Sequence, residues 1–242
     1  MSKLPVGQDI FPILGVPIST WSRQEILAQV ERFLREPGFH RIATVNPEFL
    51  VLADSDLVFK NSLLATDLCV ADGFGIVLAS LLRGKKITRF PGADLFHEVL
   101  AIAERDKFAV YLAIKKDGLS SFEEIQRALL RIFPKLDISG ADIDADSYQV
   151  SSMEYWAYKI PDTKYNILLS NFGAPEQELF LERFRSNPGD IRLALGVGGS
   201  FDFLTGKQKR APRYLRVIGL EWLWRLILQP KRWRRIWNAV VV

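Results

Sequence analysis

Asp72 has the setting that points most directly to chemistry. It follows the apolar run Leu68–Ala71 and precedes Gly73-Phe74-Gly75. A carboxylate at a strand tip, partly desolvated, has its pKa raised toward the range useful to a general base. The glycines beside it let a substrate approach the backbone closely. Asp72 also suits the N-cap of the helix predicted to follow, and local sequence leaves both roles open. Arg89, in Arg89-Phe90-Pro91-Gly92-Ala93-Asp94, lies in a loop behind Lys85 and Lys86. It suits either an anionic substrate or a pair with Asp94. Gln177 falls in Gly173-Ala174-Pro175-Glu176-Gln177-Glu178, the first turn of another predicted helix. Helix N-termini attract phosphate, and an uncharged amide can donate or accept a hydrogen bond there. Glu176 and Glu178 oppose an anion at that place unless they face away.

Other motifs carry less. Gly196-Val197-Gly198-Gly199-Ser200-Phe201 lacks the third glycine of a dinucleotide fingerprint, and it comes too late in the chain for a following βαβ unit. Gly84-Lys85-Lys86 and Gly206-Lys207-Gln208 lack the upstream glycine and the Ser/Thr of a P-loop. No G-x-S-x-G string marks a serine hydrolase. Asp142, Asp144 and Asp146 are spaced like the start of a calcium loop. Ser147 stands where that loop needs glycine, and Met153 where it needs glutamate, so the segment reads as an exposed acidic loop. Asp54-Ser55-Asp56 is a D-x-D string inside a helix pattern, where residues two apart point to different faces. One cysteine, Cys69, and two histidines, His40 and His97, exclude a disulfide framework and a Cys/His metal cage. Any bound metal would have to rely mainly on oxygen ligands, and no cofactor is expected.

The elements that must position these residues alternate. Strands are predicted at Ile42–Val45, Leu68–Ala71, Ala109–Ala113, Asn166–Ser170 and Ile191–Gly196. All are short and apolar, with β-branched or aromatic residues, as in strands buried on both faces. Helices are predicted from a Ser22/Glu25 capping box to Arg35 and from Pro47 to Leu64. Further helices are expected at Gly73–Leu82, Ala93–Arg105, Phe122–Phe133, Ser152–Tyr158 and Pro175–Arg185. This alternation implies an α/β fold, a Rossmann-like mostly parallel sheet with helices on both faces. Ligands of such sheets bind beyond the carboxyl ends of the strands. Those ends read Thr44-Val45-Asn46, Ala71-Asp72-Gly73, Ser170-Asn171-Phe172-Gly173 and Gly196-Val197-Gly198-Gly199.

The 242 residues carry a net charge of +4, with 48% hydrophobic and 25% charged residues. That composition suits a globular chain of one large domain, or one domain and an appendage. The charge is unevenly placed. Between Lys207 and Arg235 ten basic residues face a single acid, Glu221, so residues 1–206 are net acidic. Trp222, Trp224, Trp233 and Trp237 share this basic end. The expected division is a Rossmann-like catalytic domain over 1–206 and a basic, tryptophan-rich helical C-terminal appendage over 207–242. Cations mixed with tryptophan suit an anionic membrane surface, and packing on the body is a compatible alternative. No nucleic-acid module accompanies the tail. No uncharged run reaches the ~20 residues of a membrane span, and no secretory signal is evident. The expected location is cytoplasmic, peripheral on the inner face of the plasma membrane.

Five blocks in order resemble the bacterial WecG/TagA/CpsF sugar transferases, glycosyltransferase family 26. They are TVNPEFLVLA from Thr44, ADGFGIVLAS from Ala71, RFPGAD from Arg89, GAPEQE from Gly173, and the long segment GVGGSFDFLTGKQKRAPRYLRVIGLEWLWRLILQPKR from Gly196. The resemblance implies an inverting, metal-independent transfer of a sugar, N-acetylmannosamine or a related hexose. The donor would be a UDP-sugar and the acceptor a polyprenyl-diphosphate-linked sugar in cell-surface polysaccharide synthesis. It implies Asp72 as the general base and Thr44, Asn46, Arg89 and Gln177 as pocket residues. Arg225, Arg232 and Arg235 match appendage arginines that reach the donor diphosphate. Those three would share a face on a continuous helix, with Pro230 as a candidate break. The chain departs from the family pattern at Ile114–Leu119, where a Gly/Pro-rich loop is usual, and at Ser139–Asp142. These departures motivate an alternative, a non-catalytic sugar-nucleotide-binding or scaffold protein of the same pathway. A homo-oligomer is an open option. No nucleic-acid partner is expected.

Overall fold

A computed structural model describes residues 10–144, 164–217, 219–228 and 233. The chain opens with an antiparallel hairpin of β1 (Ile10–Ile13) and β2 (Val16–Ser19). Six strands then form one sheet: β3 (His40–Val45), β4 (Leu68–Ala71), β5 (Ala109–Lys115), β6 (Ile138–Ile143), β7 (Tyr165–Ser170) and β8 (Leu193–Gly196). Their order is β4-β3-β8-β7-β5-β6, and every neighbouring pair is parallel. The fold is therefore the expected Rossmann-like α/β sheet.

The helices are α1 (Arg23–Arg35), α2 (Pro47–Ser55), α3 (Leu57–Leu64), α4 (Phe74–Leu82), α5 (Gly92–Asp106), α6 (Phe122–Ile132), α7 (Glu176–Arg183), α8 (Ser200–Leu204), α9 (Arg213–Val217) and α10 (Glu221–Leu228). Side chains alternate along the strands and build cores on opposite faces. Ile42, Leu68, Val70, Val110, Leu112, Ile167, Leu169, Leu193 and Leu195 pack with α1, α5, α6 and α8. Ala43, Val45, Cys69 and Ala71 meet α2, α3 and the hairpin. Tyr111, Ala113, Leu168 and Ala194 meet α7.

The Ser22/Glu25 box forms: Ser22 Oγ accepts from the Glu25 N–H at 3.3 Å, and the Glu25 carboxylate accepts from the Ser22 N–H at 2.7 Å. The single helix expected from Pro47 to Leu64 is two. Asp56 breaks it and caps α3, with Oδ1 accepting from the Val58 and Phe59 N–H groups at 2.9 and 3.0 Å. That role also accounts for half of the D-x-D string. Asp142 belongs to edge strand β6, not to a loop; its Oδ1 accepts from the Phe122 N–H at 2.8 Å and tethers the start of α6. The helix expected at Ser152–Tyr158 lies outside the described residues. No helix among the described residues is long and apolar enough to cross a membrane.

Candidate active site

The sheet order brings the chosen tips together. Thr44 and Asn46 end β3, Asp72 follows β4, Ser170-Asn171 ends β7 and Gly196 ends β8, and these four strands are consecutive in the sheet. Connections leave β5 and β7 in opposite directions across the sheet, toward β6 and β8 respectively. The topological crevice of the fold therefore opens between the β5 and β7 tips. Asn171 stitches those tips, its Oδ1 accepting from the Lys115 N–H at 2.7 Å.

Asp72 does not cap α4. Gly73 holds the N-cap position, with no side-chain cap bond. The Asp72 carboxylate instead accepts from the N–H of Gly92, the first residue of α5, at 2.9 Å. The 89–92 loop is zipped to the β4 tip by two further bonds. The Phe90 N–H donates to the Ala71 carbonyl at 2.8 Å, and Arg89 Nε donates to the Asp72 carbonyl at 2.7 Å. Gly92 is required by close approach, since a Cβ there would lie 2.9 Å from Thr44 Oγ1. Thr44 is thus buried beneath the loop, while Asn46 caps α2 by accepting from the Phe49 N–H at 3.1 Å.

Asp72 is only partly exposed. Desolvation pushes its pKa above the ordinary aspartate value. The Gly92 N–H, Arg225 and Arg89 pull it down, and the Glu221 charge pushes it up. The result is a carboxylate that is reachable, more basic than usual and bordered by two arginines.

Arg89 does not form the expected pair with Asp94. Asp94 pairs instead with Arg210 at 2.5 Å. Arg89 Nη1 donates to the Arg216 carbonyl at 2.7 Å, and Nη2 pairs with Glu221 at 3.2 Å. Glu221 also binds Arg225 at 3.3 Å, one helical turn on. Arg89 therefore joins three things: the Asp72 backbone, α9 and α10. Glu221 is the residue that sequence reasoning passed over. Its signal was present, as the lone acid of a basic tail four residues before Arg225. Arg225 also lies over the Phe203 ring at 5.2 Å, close enough for a cation–π contact. Arg232 and Arg235 lie outside the described residues.

Gln177 is buried, and its amide is engaged on both sides. Its Oε1 accepts from the Gly173 and Gly198 N–H groups at 3.3 and 3.2 Å, and Nε2 donates to Glu178 Oε1 at 3.0 Å. It braces the loops after β7 and β8. Behind it, Glu178 and Arg41 are fully buried. Burial raises the Glu178 pKa, against the lowering influence of Arg41 and the Gln177 amide. Arg41 donates to Ser62 Oγ at 2.9 Å, to Thr66 Oγ1 at 2.6 Å and to the Ser62 and Glu178 carbonyls, and pairs with Glu182 at 3.3 Å. Among the described residues, no group of three or more His, Cys, Asp or Glu side chains could hold a metal ion.

Similarity to known proteins gives the family. A family model described as "Glycosyl transferase WecG/TagA/CpsF family" matches residues 11–242. A Bacillus subtilis (strain 168) protein named N-acetylglucosaminyldiphosphoundecaprenol N-acetyl-beta-D-mannosaminyltransferase is 32% identical over 197 residues, covering 81% of this chain and 74% of that protein. Its namesake from Bacillus spizizenii is 34% identical over 198 residues, with the same shares covered. The chain belongs to the WecG/TagA/CpsF family and is a glycosyltransferase.

Proposed function

We propose that this chain transfers N-acetylmannosamine, or a closely related hexose, from a UDP-sugar to a polyprenyl-diphosphate-linked sugar, with inversion and without a metal. The named relatives support the acceptor class and the sugar. The observation that carries the mechanism is Asp72 itself, a desolvated carboxylate at a strand tip beside Arg89 and Arg225.

In this reading Asp72 takes the proton of the acceptor hydroxyl. The hydroxyl oxygen bonds to the anomeric carbon as the bond from that carbon to the diphosphate oxygen breaks. UDP leaves with the electron pair, and a single displacement inverts the carbon. Negative charge grows on the departing diphosphate, and without a metal the forked donors of arginine are the natural counter-charge. Arg225 is the described member of that set, and the family resemblance adds Arg232 and Arg235. Thr44 and Asn46 shape the floor beneath Asp72 and Gln177 holds the β7 and β8 tips. The β5/β7 crevice suits the nucleotide. Four strand spacings, roughly 19 Å, separate the β5 tip from Asp72, a span suited to an extended nucleotide-sugar. Residues 207–242 act as an appendage that works at an anionic membrane surface, on the inner face of the plasma membrane, and its helices α9 and α10 bring Arg216 and Glu221 to Arg89.

The test is Asp72→Asn. It should lower kcat by at least about a hundredfold, in keeping with loss of a general base, and leave folding and UDP binding intact. Near-normal turnover would remove Asp72 from the chemistry. The same assay run across a panel of UDP-sugars identifies the donor.

A further inference from the structure

Helix α4 turns its apolar side outward. Phe74–Leu82 contains no charged residue, and only Ile76 and Ser80 are buried. Phe74, Leu78, Leu81 and Leu82 are 38, 47, 50 and 80% exposed. Their spacing places them on one face, the stripe that a helix of a water-soluble protein ordinarily turns inward. The turn that follows, Arg83-Gly84-Lys85-Lys86, is exposed along its whole length. Among the described residues, none of its three cations has an acidic partner. Ile87, immediately after, is buried and anchors the turn.

This face adjoins the candidate site. Phe74 stands two residues beyond Asp72. The tail crosses it at Gly219, where an added Cβ would lie 2.9 Å from Phe74 Cβ. Gly219 also has a φ of 80°, in the left-handed region that favours glycine, so the tail turns tightly against the helix. Beyond that crossing, Trp222 of α10 is exposed as well.

We propose that the Phe74–Leu82 face and the Arg83–Lys86 turn form a lipid-docking surface, a contact of the catalytic body with an anionic bilayer. The leucines enter the boundary between headgroups and acyl chains, and the three cations meet lipid phosphates. A second copy of this chain fits the surface poorly, because a two-fold contact sets each patch on its own image and brings the cations face to face. The inference rests on the polyprenyl-linked acceptor of the proposed function. The diphosphate of such an acceptor lies at the membrane surface, and docking through α4 brings the Asp72 tip to that level.

The test is co-sedimentation of the full chain with vesicles of phosphatidylcholine alone or with a third phosphatidylglycerol. Circular dichroism checks the fold of each variant. Leu81→Gln/Leu82→Gln should weaken partition into the anionic vesicles about tenfold or more, as expected when two half-buried leucine contacts are lost. Arg83→Gln/Lys85→Gln/Lys86→Gln should weaken it by roughly fivefold per cation, and should change binding to phosphatidylcholine alone much less. Unchanged partition of either folded variant overturns the proposal. So does a concentration-dependent dimer that the leucine variant abolishes while partition stays as in the native chain. The function is checked separately with Asp72→Asn, which should bind vesicles like the native chain. If native protein docks through α4 yet transfers no sugar to a lipid-linked acceptor, the proposed reaction fails and the surface stands.

Discussion

Gln177→Leu separates a brace from a substrate ligand. The amide is buried and makes three hydrogen bonds, two accepted from the Gly173 and Gly198 N–H groups and one donated to Glu178. Leucine is close in volume, so the cavity cost is small and the polar cost dominates. Each orphaned, part-buried N–H costs about 1 kcal/mol, and the buried Glu178 carboxylate loses a charge-assisted bond worth about 1.5–3 kcal/mol. The sum is roughly 4 kcal/mol. For a chain of this size that corresponds to a fall in Tm of roughly 8–16 °C. Urea titration and thermal melts read the loss of stability directly. The loops after β7 and β8 loosen together, so kcat should fall even at saturating donor. A variant with native Tm and altered KM alone would refute the reasoning, because it would place the amide on the substrate and off the loops.

Other predictions concern the same machinery. In the proposed mechanism transfer requires ionised Asp72, so kcat/KM should be lost as pH falls through its raised pKa. Glu221→Gln removes a charge that pushes this pKa up and should move the acid limb of the pH profile to lower pH. Arg225→Gln removes a charge that pulls it down and should move the limb to higher pH. An acid limb at the same place in both variants would refute the electrostatic assignment. Arg41→Met leaves Glu178 buried without its cation and should cost about 3–5 kcal/mol in urea unfolding. Adding Glu178→Gln should restore part of that loss, and a double variant showing no recovery would count against the pair.

Much of the framework was legible in the sequence. Leu68–Ala71 is a strand with the expected ends, and Ser22/Glu25 starts α1 as a capping box should. These outcomes follow from periodicity and from side chains bonding within three or four residues, which are local interactions. The omissions also have local explanations. Pro12 and Pro17 mask the β1–β2 hairpin. They pair with each other on an isolated two-stranded sheet, where a missing N–H is tolerated. Strand β6 carries Gly140 and Asp142, residues depleted in strands, and survives at the sheet edge. Asp56 splits the helix after Pro47 because its side chain offers the backbone a better partner than the helix does.

The sequence by itself determined the α/β class, the basic tail and Asp72 at the end of an apolar strand. Only the tertiary structure took Asp72 off the α4 N-cap, by giving that place to Gly73 and setting the Gly92 N–H against the Asp72 carboxylate. It also decided that Arg89 meets Glu221, 132 residues away, and that the Gln177 amide ties two loops. The physical reason is one of range. Propensity and capping are set by neighbours along the chain. The partner, desolvation and field of a carboxylate or guanidinium are set by whatever packing brings within a few ångströms, and strand order alone determines which tips those are.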